Sequence, residues 1–287
     1  MLKKGKLSVF PSSLAWEFEG EGLQSGTDTD LEPFADHGVK ADPGSDEWDD
    51  LDAEDTGDPL MVSEYIAEIF SYMKSIKVSF TTILSSLHVS YCYQQVIMPN
   101  PSYIDTQNKL TWTIHSNLIH WIIQVHLDFH LLPETLFLAI NIIDCFLSAC
   151  TISLAKLQLV GITCLFIASK VEEIVSPSIT HFLNCIDLSY MENKILQGER
   201  YMLNTLEWNL SYPNPIHFLQ RLSNADKYDA KARIIAKYLA DITCLEWRLL
   251  SAPPSLLAAT AIWLLHLILD NKTWVCLHFV QIIHVFT

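Results

Sequence analysis

The chain has 287 residues, half of them hydrophobic, which is enough for two domains at about 100–200 residues each. Its formal net charge is -15, but residues 17–58 hold 16 of the 33 acidic residues and one of the 18 basic ones, so the remainder is balanced. A balanced remainder has no basic face of the kind that nucleic-acid binding requires, so we expect neither DNA nor RNA as a direct partner.

The seven cysteines include no Cys-x-x-Cys pair, and most lie in apolar runs, which is typical of a reduced intracellular protein with buried thiols. The three lysines within residues 3–6 lead into too few apolar residues for a signal peptide. The nearest candidate for a membrane span is 255–269, which is shorter than the roughly 20 residues required. It also contains His266, so we interpret it as a core helix and expect no membrane partner.

Residues 1–57 are rich in Gly, Asp and Glu with little apolar periodicity, which predicts an acidic disordered arm, either a solubilising tail or a docking segment. Residues 58–107 begin with a short amphipathic helix and continue through a stretch, 78–104, that contains no Asp, Glu, Lys or Arg. The apolar positions of the helix recur at spacings of three and four: Met61, Tyr65, Ile69, Tyr72 and Met73.

Residues 108–208 carry five predicted helices joined by short loops, which indicates one all-α unit. The second begins at Pro133, where the missing N–H costs nothing, and Ser189 with Glu192 forms a capping box for the fifth. The predicted ranges are 110–129, 133–150, 154–174, 176–186 and 189–206.

The central helix of this unit, 154–174, is apolar on almost every side, which predicts that it lies in the middle of the domain. Ser153 is its expected N-cap, and small residues at 161, 164 and 168 form a strip for a close neighbour. After Lys156 in the first turn, charged residues appear only at 168–173. Lys170 therefore leaves a buried helix where it reaches the surface, which is a rigid position from which to present one cation.

Residues 209–287 repeat the architecture with three helical patterns, at 210–223, 228–250 and 253–269, followed by a tail almost without charge. We interpret this second unit as incomplete.

Four blocks of sequence together resemble a fungal B-type mitotic cyclin: DPLMVSEY at 58, PETLFLAINIIDCFLS at 133, KLQLVGITCLFIASKVEEIVSPS at 156 and ERYMLNTLEWNLSYPNPIHFL at 199. The match covers about residues 58–77 and 96–264. The resemblance implies two cyclin boxes, a five-helix N-terminal one and a partial second one. It also implies a regulatory subunit, not an enzyme, that binds no cofactor and activates a cyclin-dependent kinase of the cell-division type at G2/M, in nucleus and cytoplasm.

The resemblance also implies a kinase-binding surface. The invariant Lys and Glu of the family fall on Lys170 and Glu199, and the apolar contacts of the first box and N-terminal helix fall on Val171, Leu203, Trp208, Tyr65 and Ile69. In family members, this surface presses on the C helix of the kinase and turns its Glu inward to complete a Lys–Glu pair. Without the resemblance, Lys170 beside Glu172 and Glu173 would be an ordinary surface ion pair worth about 0–1 kcal/mol.

Family members dock Arg-x-Leu substrates and inhibitors in an apolar groove whose motif reads Met-Arg-Ala-Ile-Leu and then Trp. The corresponding residues here are Ile114, His115, Ser116, Asn117, Leu118, Trp121, Gln124 and Gln158. Asn117 places a polar amide in the apolar floor of this groove. Gln124 replaces a Glu of the family that would pair with a basic residue of the substrate motif. His115 replaces the Arg that pairs with Asp144, and an imidazole cannot reproduce a bidentate guanidinium. We therefore expect substrate docking to be less well preserved in this chain than kinase binding.

Two further departures bear on the resemblance. Family members run the N-terminal helix directly into the turn at 98–101, so about 78–95 is an insertion here. The first 199 residues contain no Arg, so the Arg-x-x-Leu destruction box of mitotic cyclins is absent from them.

Other functions have weaker signals. His126 and His130 have the i, i+4 spacing of a helical metal pair, but no third ligand accompanies them, so we predict no metal site. A cyclin-fold transcription scaffold needs a basic face and usually a zinc ribbon, neither of which is found. A degenerate cyclin that binds a kinase without activating it stays open because of the altered groove and the incomplete second box.

Overall fold

The computed structural model describes residues 63–77, 99–186, 190–225 and 230–269, and within these ranges it contains nine α-helices and no strand. The predicted arm at 1–57, the predicted insertion at 78–95 and the tail after 269 lie outside them. The helices are α1 (Ile66–Lys77), α2 (Trp112–Asp128), α3 (Pro133–Ala149), α4 (Leu154–Glu172), α5 (Ile179–Leu183), α6 (Glu192–Thr205), α7 (Pro215–Ala225), α8 (Ala230–Thr243) and α9 (Pro254–Ile268).

Helix α4 is the centre of the first unit, as its sequence predicts. Every residue from Val160 to Ser169 is buried, and α2, α3, α5 and α6 surround the helix. Gly161 allows α2 to approach closely, since a β-carbon added there would lie 2.9 Å from Leu118 Cδ1. Cys164 lies on another side of the helix, with its Sγ 3.7 Å from Met202 Sδ of α6. Gly161 therefore allows a close neighbour, as predicted, but Cys164 faces a different helix, so the small residues do not form one strip against a single neighbour.

The membrane-span prediction named the wrong helix. Within the described residues, α4 is the one helix long and apolar enough to cross a membrane, whereas the candidate at 255–269 forms α9, with 15 helical residues. About 61% of the relevant window of α4 is buried inside the protein, so its apolar residues form the core of a helical domain.

Several predicted helix boundaries differ from the structure. Helix α6 begins at Glu192, with Met191 as its N-cap. The predicted capping box requires Glu192 to be the third helical residue, but it is the first. Ser189 lies outside the described residues. Ser153 does occupy the N-cap of α4, although its side chain makes no capping hydrogen bond. The pattern at 228–250 breaks at Thr243, and a 3-10 turn follows at Trp247–Leu249.

A second core lies between α7, α8 and α9, where the buried apolar residues include Phe218, Ala236 and Ile262. Helix α1 packs on this core and not on the first one. Met73 is buried in it, and the ring of Phe70 meets that of Phe218 edge-on at 5.8 Å. The amphipathic pattern of the N-terminal helix is therefore satisfied by the second unit.

The two units are joined by specific contacts. Phe137 of α3 is buried in the second core. The rings of Trp112 and Trp247 stack at 4.8 Å, and the Asn214 side chain donates to the Glu134 carbonyl at 2.9 Å. These contacts tie α2 and α3 to the second unit.

Candidate protein-binding surfaces

The C-terminal end of α4 meets the middle of α6 at the surface of the first unit. Lys170 Nζ lies 2.6 Å from Glu199 Oε1, and it also lies 4.1 Å above the ring of Phe166. The Lys170 side chain is part-exposed, whereas that of Glu199 is mostly covered. Because Phe166 belongs to the core, the ammonium is held at a fixed place while remaining accessible from outside.

The pairing of Lys170 differs from the one that its sequence neighbours suggest. Glu173 does not pair with it but accepts hydrogen bonds from the Leu132 backbone N–H at 2.7 Å and the Thr135 hydroxyl at 2.6 Å. Leu132 is the N-cap of α3 and Thr135 lies in its first turn, so Glu173 caps that helix. Glu172 is partly buried, and desolvation raises the pKa of its carboxyl. The long-range partner Glu199 could not be read from local spacing.

Three apolar residues accompany this ion pair. Val171 is 55% exposed and Trp208 is 67% exposed, whereas Leu203 is buried and supports the surface from beneath. The backbone N–H of Trp208 donates to the Leu203 carbonyl at 2.8 Å, and this bond fixes the turn after α6. We call the set of Lys170, Val171, Glu199, Leu203 and Trp208 the Lys170 edge.

The backbone at Trp208 is strained. Glu207 and Trp208 have φ angles of 53° and 60°, in the left-handed region that costs L-residues about 1–2 kcal/mol each. The indole N–H donates to the Asn204 side chain at 3.2 Å, which helps to hold the ring over the end of α6. A large apolar ring is thus held in solvent by a strained turn.

Tyr65 and Ile69 are exposed as expected, at the start of the chain segment that packs on the second core. Tyr72 lies two turns after Tyr65, is also exposed, and its hydroxyl is 3.5 Å from Ser211 Oγ of the second unit. Because α1 is packed on the second core, these side chains are carried by that unit, whereas the Lys170 edge belongs to the first one.

The predicted groove residues lie on α2 and at the start of α4, and they differ in accessibility. Leu118 and Trp121 are buried in the first core, while Ile114 and Gln158 are partly exposed. Gln124 is exposed, and its side chain lies 3.1 Å from His120 Nε2. Leu118 and Trp121 can therefore form only the floor of the docking groove. The surface that a peptide would meet is set by the polar neighbours Asn117 and Gln124.

His115 keeps contact with Asp144 despite replacing a guanidinium. Its Nε2 lies 2.7 Å from Asp144 Oδ1, and both side chains are buried. The Tyr103 hydroxyl donates to the same oxygen at 2.9 Å, and the rings of Tyr103 and Trp112 both contact the imidazole edge-on. The sequence pattern placed Tyr103 in a linker, and its only signal was an aromatic residue after a proline-rich turn.

The two histidines with metal-pair spacing do not act together. His126 is buried, and its Nε2 lies 2.9 Å from the Leu132 carbonyl, while desolvation lowers its pKa. His130 follows the end of α2 with a φ of 53° and is exposed. Among the described residues, no group of three His, Cys, Asp or Glu side chains could hold a metal ion.

Comparisons with known proteins agree with this architecture. Residues 86–211 match the cyclin N-terminal domain, and residues 213–281 match the cyclin C-terminal domain. Residues 86–95 of the predicted insertion thus fall within the matched range. A viral cyclin from herpesvirus saimiri has a similar fold, with a TM-score of 0.56 and 20% identity over 61% of this chain and 79% of that one.

The curated relatives include G2/mitotic-specific cyclins of fungi. The G2/mitotic-specific cyclin cdc13 of Schizosaccharomyces pombe is 49% identical over 81% of this chain, and the G2/mitotic-specific cyclin-B of Emericella nidulans is 46% identical over 78% of it. These matches cover 45% and 44% of the two relatives, so the chain spans less than half of their length.

Proposed function

This chain belongs to the cyclin family, and from that premise we propose that it binds and activates a cyclin-dependent kinase at the G2/M transition. The observation that carries the proposal is the Lys170 edge, where a paired cation and anion lie between exposed apolar side chains. Such a combination suits a protein interface because the apolar residues supply affinity and the charges fix the orientation.

The mechanism follows from the rigidity of α4. The helix is buried for most of its length, so the backbone of Lys170 at its end cannot move without disturbing the core. Glu199 is held by its contact with Lys170 and by the neighbouring packing of α6 on α4. A mobile helix of the kinase that docks here would be held in one orientation, and stabilising that orientation is what shifts the kinase toward its active state.

The experiment mixes the purified full chain with a cell-division-type kinase and measures both binding and histone phosphorylation. We expect a stable complex with activated kinase. Binding without activity would overturn the proposal in favour of a degenerate cyclin, and the absence of binding would overturn it in favour of a scaffold role.

We further propose that Arg-x-Leu docking is weakened in this chain. The proposal is supported by Gln124, an exposed neutral side chain at the position where the family carries a carboxylate, and by the part-exposed amide of Asn117. A neutral acceptor gives a weaker hydrogen bond to a guanidinium than a carboxylate does, because the charge-assisted bond is roughly twice as strong.

The variant Gln124→Glu tests this point. We expect it to raise the affinity for an Arg-x-Leu peptide by about tenfold, since a charged hydrogen bond adds ~1.5 kcal/mol. Gln197→Glu, on α6, is the matched control and should leave peptide affinity unchanged. The proposal would be contradicted if the original chain bound the Arg-x-Leu peptide with the affinity of an ordinary mitotic cyclin.

We also propose that the complex of this chain with its kinase is found in the nucleus and the cytoplasm. A fluorescent fusion imaged through the cell cycle checks this expectation, and confinement to another compartment would contradict it.

A further inference from the structure

A groove lies between the start of α3 and helices α7 and α8, where the two units meet, and we call it the α8 groove. Its lining includes Pro133, Ile216, Leu219, Gln220, Arg233 and Lys237. The first three of these residues form an apolar floor. The groove has a volume of about 170 Å³. Since an engineered cavity of about 150 Å³ accepts a benzene ring, the α8 groove has room for one aromatic ring.

The rim of the α8 groove carries two cations of α8. Arg233 is exposed and Lys237 is partly exposed, and their spacing of four residues places them one turn apart on the same side of the helix. Within the described part of the chain, neither of them forms an ion pair. The carboxylate of Glu134, next to the groove, accepts a hydrogen bond from the Gln220 amide at 2.8 Å. The two cations are therefore available to an acidic ligand.

The second unit as a whole has a local excess of positive charge. In its described ranges, 209–225 and 230–269, five residues are Lys or Arg and two are Asp or Glu. They are Arg221, Lys231, Arg233, Lys237 and Arg248 against Asp241 and Glu246. The balanced total outside the acidic arm hides this excess. An acidic segment that also carries an apolar side chain therefore has the chemistry that fits the α8 groove.

Residues 45–55 of the same chain, SDEWDDLDAED, have this chemistry. Seven of these 11 residues are Asp or Glu, none is Lys or Arg, and Trp48 and Leu51 lie among the acids. We propose that residues 45–55 dock in the α8 groove, with the Trp48 indole on the apolar floor and the neighbouring carboxylates on Arg233 and Lys237. A buried indole supplies contact area, and carboxylates form charge-assisted hydrogen bonds to guanidinium and ammonium groups.

Helix α1 brings this segment within reach of the groove. The ring of Phe70 lies 5.8 Å from that of Phe218 on α7, and the next two residues of α7 line the groove. The described chain begins at Ser63, about 10 Å before Phe70 at helical rise. The roughly 12 residues from Leu51 to Ser63 span up to about 40 Å when extended. Because the segment is attached to α1, its effective concentration at the groove is high. This inference does not depend on the proposed function.

The experiment places the photo-crosslinker p-benzoyl-phenylalanine at position 48 of the full chain and identifies its adducts by mass spectrometry. Isotope-labelled and unlabelled chains are mixed, so that adducts within one chain and between chains can be distinguished. We expect adducts within one chain at the residues that line the α8 groove. The same crosslinker at position 34, where Phe34 lies in another acidic stretch of the arm, is the matched control and should not reach the groove.

The double variant Arg233→Gln with Lys237→Gln tests the role of the charges. We expect it to reduce the adducts from position 48 at the groove by about tenfold or more, since the loss of one charge-assisted hydrogen bond already weakens binding by about that factor. Lys156→Gln with Lys194→Gln removes the same charge from exposed positions of the first unit, and this control should leave the adducts unchanged.

Three results would overturn the inference. Adducts between two chains would indicate that the arm of a second copy occupies the groove, and adducts spread evenly over both units would indicate a solubilising tail. An unchanged yield in the double variant would show that Arg233 and Lys237 hold nothing. If the double variant fails to fold, the acidic residues of 45–55 are replaced by their amides instead. We expect the same loss of adducts there, and an unchanged yield would equally overturn the inference.

Discussion

Trp208 is the residue of the Lys170 edge with the most surface to offer a partner. Its indole is two-thirds exposed, and a tryptophan buries about 150–250 Å² when it is fully covered. Covering the exposed part would contribute ~3 kcal/mol at about 25 cal/mol per Å². A buried aromatic of this kind is typical of the few residues that dominate an interface.

We therefore expect Trp208→Ala to weaken kinase binding by ~2–4 kcal/mol with little effect on folding, because the side chain leaves no cavity in the core. Calorimetric titration with the kinase measures the loss. Tyr238→Ala, at an exposed tyrosine of α8, is the control for loss of an aromatic side chain. Equal affinity of Trp208→Ala and the original chain would remove Trp208 from the interface.

Gly161 tests the packing of the central helix at the same scale. A β-carbon there would lie 2.9 Å from Leu118 Cδ1 and 3.2 Å from Ile122 Cδ1, both in the closed core. Overpacking lowers the stability of the fold by about 1–3 kcal/mol. Replacing a helical Gly by Ala raises it by up to ~1 kcal/mol, because Ala has the higher helix propensity.

We expect Gly161→Ala to lower the free energy of unfolding by ~1–2 kcal/mol in urea denaturation, since the steric cost exceeds the propensity gain. Gly198→Ala, where the nearest atom is 3.3 Å away, should be close to neutral. A stabilised Gly161→Ala would show that α2 and α4 are packed less closely than the structure indicates.

At the scale of a helix, α8 contains an unsatisfied carboxyl. Asp241 Oδ1 is buried without a hydrogen-bond partner, and desolvation raises its pKa from 3.8 to about 6, although Lys237 opposes the rise. The folded state therefore holds the proton more tightly than the unfolded state does. Stability should fall as pH rises from about 4 to about 6 and then level off.

We expect Asp241→Asn to be more stable than the original chain by ~1–2 kcal/mol at pH 7.5, a figure that allows for the partial exposure of the carboxyl. The gain should disappear near pH 4, where the original carboxyl is protonated. Denaturant unfolding at the two pH values measures it. A gain that does not change with pH would mean that Asp241 is not the group responsible.

Helix identity was more predictable than helix boundaries. The all-apolar pattern of α4 and Pro133 at the start of α3 determined those helices, because burial and a missing N–H act locally. The start of α6 was wrong because Ser189 with Glu192 satisfies the capping-box pattern, whereas the helix begins at Glu192 itself. The end of α8 at Thr243 was not predictable, because no single residue in the sequence marks it.

At the scale of the whole molecule, the sequence predicted two helical units but not how they are joined. The stack of Trp112 on Trp247 and the docking of α1 on the second core connect residues more than 130 positions apart. Local periodicity has no information on such pairs. For the same reason, the position of Lys170 at the end of α4 was predictable, whereas the family resemblance named Glu199 only as a second site residue and not as the partner of Lys170.

For the whole molecule, we propose that the Lys170 edge is the place where this chain binds and controls a kinase. The most direct test combines Lys170→Glu with Glu199→Lys, which keeps an opposite-charge pair within the chain and so preserves the fold. Reversed charges at an interface repel the partner groups that the original charges attract, and such mismatches cost several kcal/mol. Lys156→Glu, at the exposed start of the same helix, is the control.

Kinase activation by the double variant, measured as histone phosphorylation at saturating chain concentration, is the decisive measurement. We expect activation to fall by about 100-fold or more, since ~2.7 kcal/mol is the least that two reversed charges should cost, while the Lys156→Glu control activates normally. A double variant that forms a fully active kinase complex would contradict the account.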